Sequence, residues 1–369
     1  MGSRNGKEPS PLVVDRLRRC RQEMKRKKIA AFLISNQPDY FYLTGFTGED
    51  SALLLTQKDV HILSDGRFDE AMNQECPWVT RWMRKGSLNA EIAKACTELR
   101  LRSVFVQPEV VTLGEQADLR KLAKKTRFSS APPVVGKLRR IKDETELAIM
   151  RKAIRIAEDA FLSVRSRIRV GQTELELAAL LEYEMKMRGA SAASFATICA
   201  EGVNAALPHA HAGNRKIKKG SAILFDWGAR VGGYCSDLTR VVFVGSIPPR
   251  IGQVYRVVLD AQEKAIRAIK PGRKMCDVDA VAREAIKAAG FGEQFNHGLG
   301  HGLGLDVHEP PSLSWRSTEP LEAGMLVTVE PGVYLPGVGG VRIEDDVLVT
   351  PTGCRVLSNL PKRLDDMVI

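Results

Sequence analysis

The sequence predicts an α/β domain followed by a larger α+β domain built by internal duplication. Three observations carry that expectation. The first third alternates short apolar runs with helix-like stretches, residues 131–136 (APPVVG) break that pattern, and a helix–helix–hairpin unit then occurs twice. The expected domains are residues 1–136 and 137–369, and a chain of 369 residues is long enough for each to have its own core.

In the first domain, Ala31–Ser35, Ala52–Thr56, Val60–Ser64 and Val104–Gln107 read as strands, because each is a short apolar run bounded by turn residues. Leu12–Lys28, Leu88–Leu99 and Leu113–Lys125 read as helices. The second domain opens on Asp143 and Glu146, spaced as a capping box. Leu147, Met150, Ile154, Ala157, Phe161, Val164 and Ile168 follow at steps of three and four, one apolar stripe that Gly171 ends. Thr173 and Glu176 cap a second helix, which stops at Gly189. A shift of 101 residues maps Ala160 onto Ala261, Ile168 onto Ile269, Gly171 onto Gly272 and Gly189 onto Gly290. A glycine-rich segment and a hairpin follow each helix pair.

Composition narrows the function classes. No apolar run approaches the roughly 18 residues of a membrane span. The opening MGSRNGKEPSPL lacks the apolar stretch of a signal peptide, and Gly6 stands where N-myristoylation wants Ser or Thr. The MGS start itself fits a native terminus or an expression scar. Seven scattered cysteines without a CxxC pair fit free thiols in a reducing cytoplasm. Net charge is +11, and its densest run, Arg16 to Lys28, has no interleaved aromatics. That run reads as a solvated helix face, and neither nucleic acid nor membrane is expected as a partner.

The two hairpins of the second domain carry acids inside apolar strands. Residues 222–228 turn through Arg230–Gly233 into 234–244, a centre that pairs Asp226 with Asp237. Residues 325–330 return as 341–349, and a centre at Gly337 pairs Glu330 with Glu344. Like charges opposite one another destabilise a sheet. Two carboxylates about 4 Å apart repel by roughly 4 kcal/mol at an effective dielectric near 20. If the duplication sets both hairpins side by side, four carboxylates share one site, and two divalent cations would neutralise them.

The histidines point the same way. Five of the six lie between positions 209 and 308. His297, His301 and His308 stand in HGLGHGLGLDVHE, where alternating glycines exclude a zinc-binding helix and suggest backbone closely approaching a ligand. His209 precedes the first acidic hairpin as His308 precedes the second, and His211 beside it reads as incidental.

FDWG, CSDLTR, HGLGHGLG, VTVEPG and VRIEDD, in that order, resemble the pita-bread metallopeptidase family, which includes aminopeptidase P, prolidase and methionine aminopeptidase. NQPDYFYLTGFTG and SDGRFDEA resemble the N-terminal domain of its proline-directed branch. The resemblance implies that Asp226 holds one metal, that Asp237 and Glu344 bridge, and that His301 and Glu330 complete the second. Four carboxylates and one imidazole form a hard donor set suited to manganese, with cobalt, zinc or iron as alternatives. The paired metals would supply an acidified water. By the same resemblance Glu330 relays a proton, His297 and His308 stabilise the oxyanion, His209 closes the proline pocket or shuttles a proton, and Arg342 steadies the acids or contacts substrate.

The activity expected first is an Xaa-Pro aminopeptidase, acting on peptides with proline in second place. The alternative is an Xaa-Pro dipeptidase (prolidase), which needs a cationic clamp for the carboxylate after proline. Some prolidases carry that arginine where this chain has Ser312, although Arg316 or Arg342 can serve. A third reading, a non-catalytic binding member of the fold, requires lost metal ligands, and none is lost. The resemblance also implies a homodimer.

Overall fold

A computed structural model describes residues 8–369, so the MGS start and Gly2 lie outside the described residues. The chain divides between Arg139 and Arg140 into two compact units. The break expected after Gly136 falls inside a short helix, Val134–Arg139, which continues the first unit.

The first unit is a six-stranded mixed sheet in the order Thr80–Met83, Val60–Ser64, Ala52–Thr56, Ala31–Ile34, Ser103–Val106, Arg127–Ser130. The four expected strands fill its centre, and the two unexpected ones are its edges. Edge strands bury less, so TRWM and RFSS lack the apolar runs that mark central strands. The three expected helices form as Pro11–Arg26, Leu88–Glu98 and Leu113–Leu122. Helices Gln37–Thr44 and Asp69–Glu75 were not expected. Part of the basic run departs from a solvated face. Arg16 lies over the Tyr42 ring at 4.1 Å, Arg19 donates to the Tyr42 hydroxyl and Arg21 donates to the Thr56 carbonyl. These charges brace the unit itself, while Arg18, Lys25 and Arg26 remain exposed.

The second unit bears out the duplication. Its helix pairs are Glu144–Arg165 with Glu174–Met187, and Pro249–Ala268 with Met275–Ala288. Both ends of the shorter helix repeat at the 101-residue shift, 174 onto 275 and 187 onto 288. Gly171, Gly189, Gly272 and Gly290 all have left-handed backbone, which ends each segment with little steric strain. The helices pack on two sheets, Ile198–Glu201 with Ala222–Trp227 and Leu238–Phe243, and a five-stranded sheet centred on Leu326–Val329 and Asp345–Thr350. One core joins the halves. Within it Trp227 stacks on Phe161 at 4.4 Å and its indole N–H donates to the Ala157 carbonyl at 3.0 Å.

The register of the first hairpin differs from expectation. Its turn is Gly232-Gly233, both with positive φ, rather than one centred within Arg230–Gly233. The shift pairs Asp226 with Thr239 and sets Asp237 opposite Gly228 by the same register. The second hairpin agrees with expectation. Val329 pairs with Asp345 and Gly332 with Arg342, so Glu330 and Glu344 stand opposed between them. The halves meet where Thr239 bridges to Glu344, whose N–H donates to the Thr239 carbonyl at 3.2 Å.

Arg240 secures that junction. It is fully buried and its guanidinium donates to the carbonyls of Thr239, Glu344, Leu360 and Pro361 and to Asp345 Oδ1 at 2.7 Å. Replacing it leaves a buried carboxylate short of its cation, although Lys362 and Gln262 still reach Asp345 Oδ2. Arg240→Met is expected to destabilise the second unit by about 3–5 kcal/mol, read as a lower midpoint in urea denaturation followed by tryptophan fluorescence.

Candidate metal centre

The floor of a cavity in the second unit, about 1070 Å³ in volume, is lined by Asp226, Asp237, His301, Glu330 and Glu344 together. Two acids come from the first hairpin and two from the second. His301 comes from strand Gly300–Gly302, laid beside Leu326–Val329. Its Nδ1 donates to the Gly302 carbonyl at 3.1 Å, which fixes the ring's orientation. Nε2 is thereby turned to the acids, 3.2 Å from Glu330 Oε1 and 3.6 Å from Asp237 Oδ2. Asp237, His301 and Glu344 each offer one ligand atom within 4.8 Å of the others.

The alternating glycines have another cause than the one expected. A Cβ at Gly300 would meet the Thr328 carbonyl oxygen at 2.1 Å, and one at Gly302 the Glu309 carbonyl at 2.5 Å. Neighbouring backbone requires glycine at these two positions, and at Gly304 the Glu309 carboxylate does so at 2.4 Å.

Charge is poorly compensated here. Burial, then the charges of Glu344, Asp226 and Glu330, push the Asp237 pKa well above the carboxylate range. Burial and the charges of Glu330 and Asp226 do the same to Glu344. Burial raises Asp226 too, offset in part by Arg342. Burial also opposes ionisation of Glu330, but the hydrogen bond and charge of His301 outweigh it and hold that acid at about 2. His301 is raised in turn, since its bond to Glu330 overcomes the effect of burial. Asp226 Oδ1 and Glu344 Oε1 are buried with no hydrogen-bond partner among the described residues. Clustered oxygen donors, unpartnered and out of water, fit a divalent cation.

Neighbours hold these groups in place. Thr239 Oγ1 donates to Glu344 Oε2 at 2.6 Å, and Thr328 Oγ1 donates to Glu330 Oε1 at 3.0 Å. Arg342 pairs with Asp226 Oδ2 and also donates to Thr239 Oγ1, the Pro208 carbonyl and the Tyr334 hydroxyl. Of the two roles expected of Arg342, these bonds match steadying the acids.

The remaining histidines separate. His297 has both ring nitrogens engaged, Nδ1 with the Gly298 carbonyl at 2.8 Å and Nε2 with the Tyr334 hydroxyl at 3.0 Å. Nε2 therefore accepts a hydrogen bond from the Tyr334 hydroxyl, and the ring has no free N–H for an oxyanion. His308 and His209 line the cavity exposed and make no hydrogen bond among the described residues. The His308 ring lies edge-on to His301 at 4.3 Å. His211 also lines the cavity.

Three groups escaped the sequence reading. Tyr334 links Arg342 to His297. Thr239 braces Glu344 from the other half. Asp346 is fully buried, accepts from the Asp237 N–H at 3.3 Å and keeps Oδ1 unpartnered. Side chains two apart on a strand share a face, so Asp346 was recoverable from Glu344, and Thr239 from Asp237.

Comparison with known proteins identifies the family. Residues 148–351 match metallopeptidase family M24, and residues 16–141 match the creatinase/prolidase N-terminal domain. The Xaa-Pro dipeptidase of Pyrococcus horikoshii is 35% identical over 353 residues, covering 96% of this chain and 99% of the relative. Among solved structures, an Xaa-Pro dipeptidase from Bacillus anthracis superposes with a TM-score of 0.92 at 35% identity, covering 97% of this chain and all of that one. An X-Pro aminopeptidase from Thermotoga maritima gives 0.87 at 37%, covering 94% of this chain and all of that one. The chain belongs to metallopeptidase family M24 and has its pita-bread fold, preceded by a creatinase/prolidase N-terminal domain.

The raised pKa of Glu344 has a stability consequence. Folded and metal-free, Glu344 holds its proton more tightly than the unfolded chain does, so its contribution falls as pH rises above the ordinary carboxylate range. Glu344→Gln removes that penalty. The metal-free variant is expected to melt a few degrees above wild type near pH 7, with the gap closing near pH 4. Added manganese should reverse the order, because only wild type gains stability from it. Thermal melts with and without metal check both directions.

Proposed function

We propose that this M24 metallopeptidase is an Xaa-Pro dipeptidase that holds two divalent cations through Asp226, Asp237, His301, Glu330 and Glu344. The observation that carries the proposal is the buried cluster of four carboxylates and one imidazole with unpartnered oxygens on a cavity floor. Manganese is our first choice of metal, because oxygen donors dominate.

The cations supply a Lewis acid and an acidified water. The protein's own groups do the rest. The substrate carbonyl oxygen lies toward His308, which has a ring nitrogen free to donate to it. Glu330 Oε carries a proton to the proline nitrogen as the C–N bond breaks, so that water is divided between the new carboxyl and the released proline. Arg342 keeps Asp226 oriented. Tyr334 and His297 support Arg342 from behind, so His297 serves by positioning rather than by direct contact. His209 closes the wall against the proline ring, whose amide has no N–H to offer.

The dipeptide preference has two supports. Relatives from Pyrococcus horikoshii and Bacillus anthracis are named Xaa-Pro dipeptidases. Arg316 lies on the cavity wall, its guanidinium 5.4 Å from the Trp315 ring centre, with no acidic partner among the described residues. A guanidinium there suits the carboxylate that ends a dipeptide. The aminopeptidase reading, first from the sequence, becomes the second. The Thermotoga maritima structure, titled an X-Pro aminopeptidase, keeps it in view. The complete cluster gives no support to a non-catalytic binding role. Seven free cysteines, five of them buried, accord with a cytoplasmic enzyme. The homodimer belongs to the same reading and would appear as a doubled mass in light scattering.

Manganese-loaded protein is expected to release alanine from Ala-Pro faster than from Ala-Pro-Ala, and chelation should abolish both. Arg316→Met should raise KM for Ala-Pro by about tenfold while changing the tripeptide little. Faster cleavage of the tripeptide, untouched by Arg316→Met, would return the aminopeptidase to first place.

A further inference from the structure

Glu174, the first residue of helix Glu174–Met187, has a role no part of this mechanism uses. It is 1% exposed and no cation pairs with it among the described residues. Its carboxylate collects N–H donors instead. Oε1 accepts from Glu201 N at 2.7 Å and Asn204 Nδ2 at 3.0 Å, and Oε2 accepts from Asn204 Nδ2 at 3.0 Å and Gly213 N at 3.0 Å. Glu201 and Gly213 are the two ends of the arm that carries His209. The chain leaves one carboxylate and returns to it, so a single side chain closes the loop. A carboxylate at a helix N-terminus is favoured there by the helix dipole, which offsets its burial.

The rest of the arm is held elsewhere. Asn204 Nδ2 also reaches the His211 carbonyl at 3.2 Å, and Arg342 Nη1 donates to the Pro208 carbonyl at 3.3 Å. His209 itself makes no hydrogen bond among the described residues, so no polar contact of its ring holds it and its backbone must place it. We propose that Glu174 is a positioning residue that fixes His209 against the substrate cavity, an inference that rests on the reading of His209 as a substrate-side group.

A double-mutant cycle tests it. Glu174→Gln keeps the shape of the side chain but turns an NH₂ toward an N–H. It is expected to lower kcat/KM for Ala-Pro by about tenfold, chiefly through KM, and His209→Ala by a similar factor. The double variant should be no worse than His209→Ala alone, within about twofold. Losses that multiply to about a hundredfold would overturn the inference. So would wild-type activity in either single variant. Asn204→Ala removes only one of the donors and serves as a milder second variant, expected to lose about threefold with the same non-additivity.

A readout independent of activity separates this inference from the dipeptidase reading. With ¹³C-labelled histidine, Glu174→Gln should shift or broaden the His209 ring signal and leave that of His61, in the first unit, unmoved. An unmoved His209 signal would defeat the inference even if activity fell. Wild-type protein inert toward Ala-Pro would instead defeat the dipeptidase reading, and the His209 signal would still decide the role of Glu174.

Discussion

Buried negative charge sets the terms for the second unit. Asp226, Asp237, Glu330 and Glu344 share one cavity floor, and a carboxylate out of water is tolerated only when something positive or strongly hydrogen-bonding meets it. The protein meets that demand partially and unevenly. Glu330 has His301, which Asp237 shares at 3.6 Å, and Asp226 has Arg342, whereas no cation pairs with Glu344 among the described residues. Thr239 and Thr328 orient two of the acids without neutralising them. The result is a site whose shape is determined by the protein and whose charge is left unbalanced, the condition in which cation binding gives the largest return.

The duplication explains how such a site is assembled. Each half contributes a helix pair, a short strand and an acidic hairpin, and the site forms where the hairpins meet. The halves diverge in how the second helix grips the chain beside it. In the first half Glu174 gathers the ends of the His209 arm. In the second half Asp279 Oδ1 accepts from the Leu299 N–H, while Arg283 pairs with Asp279 and donates to the His297 carbonyl. Asp279 and Arg283 stand 101 residues after Ala178 and Glu182, so equivalent helix faces carry different chemistry. One arm is tied by an anion alone and the other by an ion pair.

Much of this was legible in the sequence because it rests on local pattern. The helix stripes and the capping boxes at Asp143 and Thr173 follow from periodicity and stand where the pattern put them, although the first long helix ends at Arg165, short of Ile168 and Gly171. The register of the first hairpin was misread by one position of its centre. The Gly232-Gly233 pair is the stronger turn signal, since both central residues of a tight hairpin turn need positive φ. Tyr334 was not legible. An aromatic residue in a strand reads as core, and its hydroxyl acquires meaning only when Arg342 and His297 arrive from distant segments. The glycines of HGLGHGLG gave the correct signal of close approach and the wrong object, because sequence spacing does not distinguish a ligand from an adjacent strand.

The same imbalance of charge links function to stability. A core that includes the Phe161–Trp227 stack and the fully bonded Arg240 holds the hairpins in place against the mutual repulsion of their acids. Arg240 does so from directly behind the floor, since its guanidinium holds the backbone carbonyls of Thr239 and Glu344. Substitutions that relieve the acids should therefore favour the metal-free fold while removing the reason for it, as expected where a site is built against local stability. Cation binding then completes the structure as well as the chemistry, because the charge that enables one is the charge that strains the other.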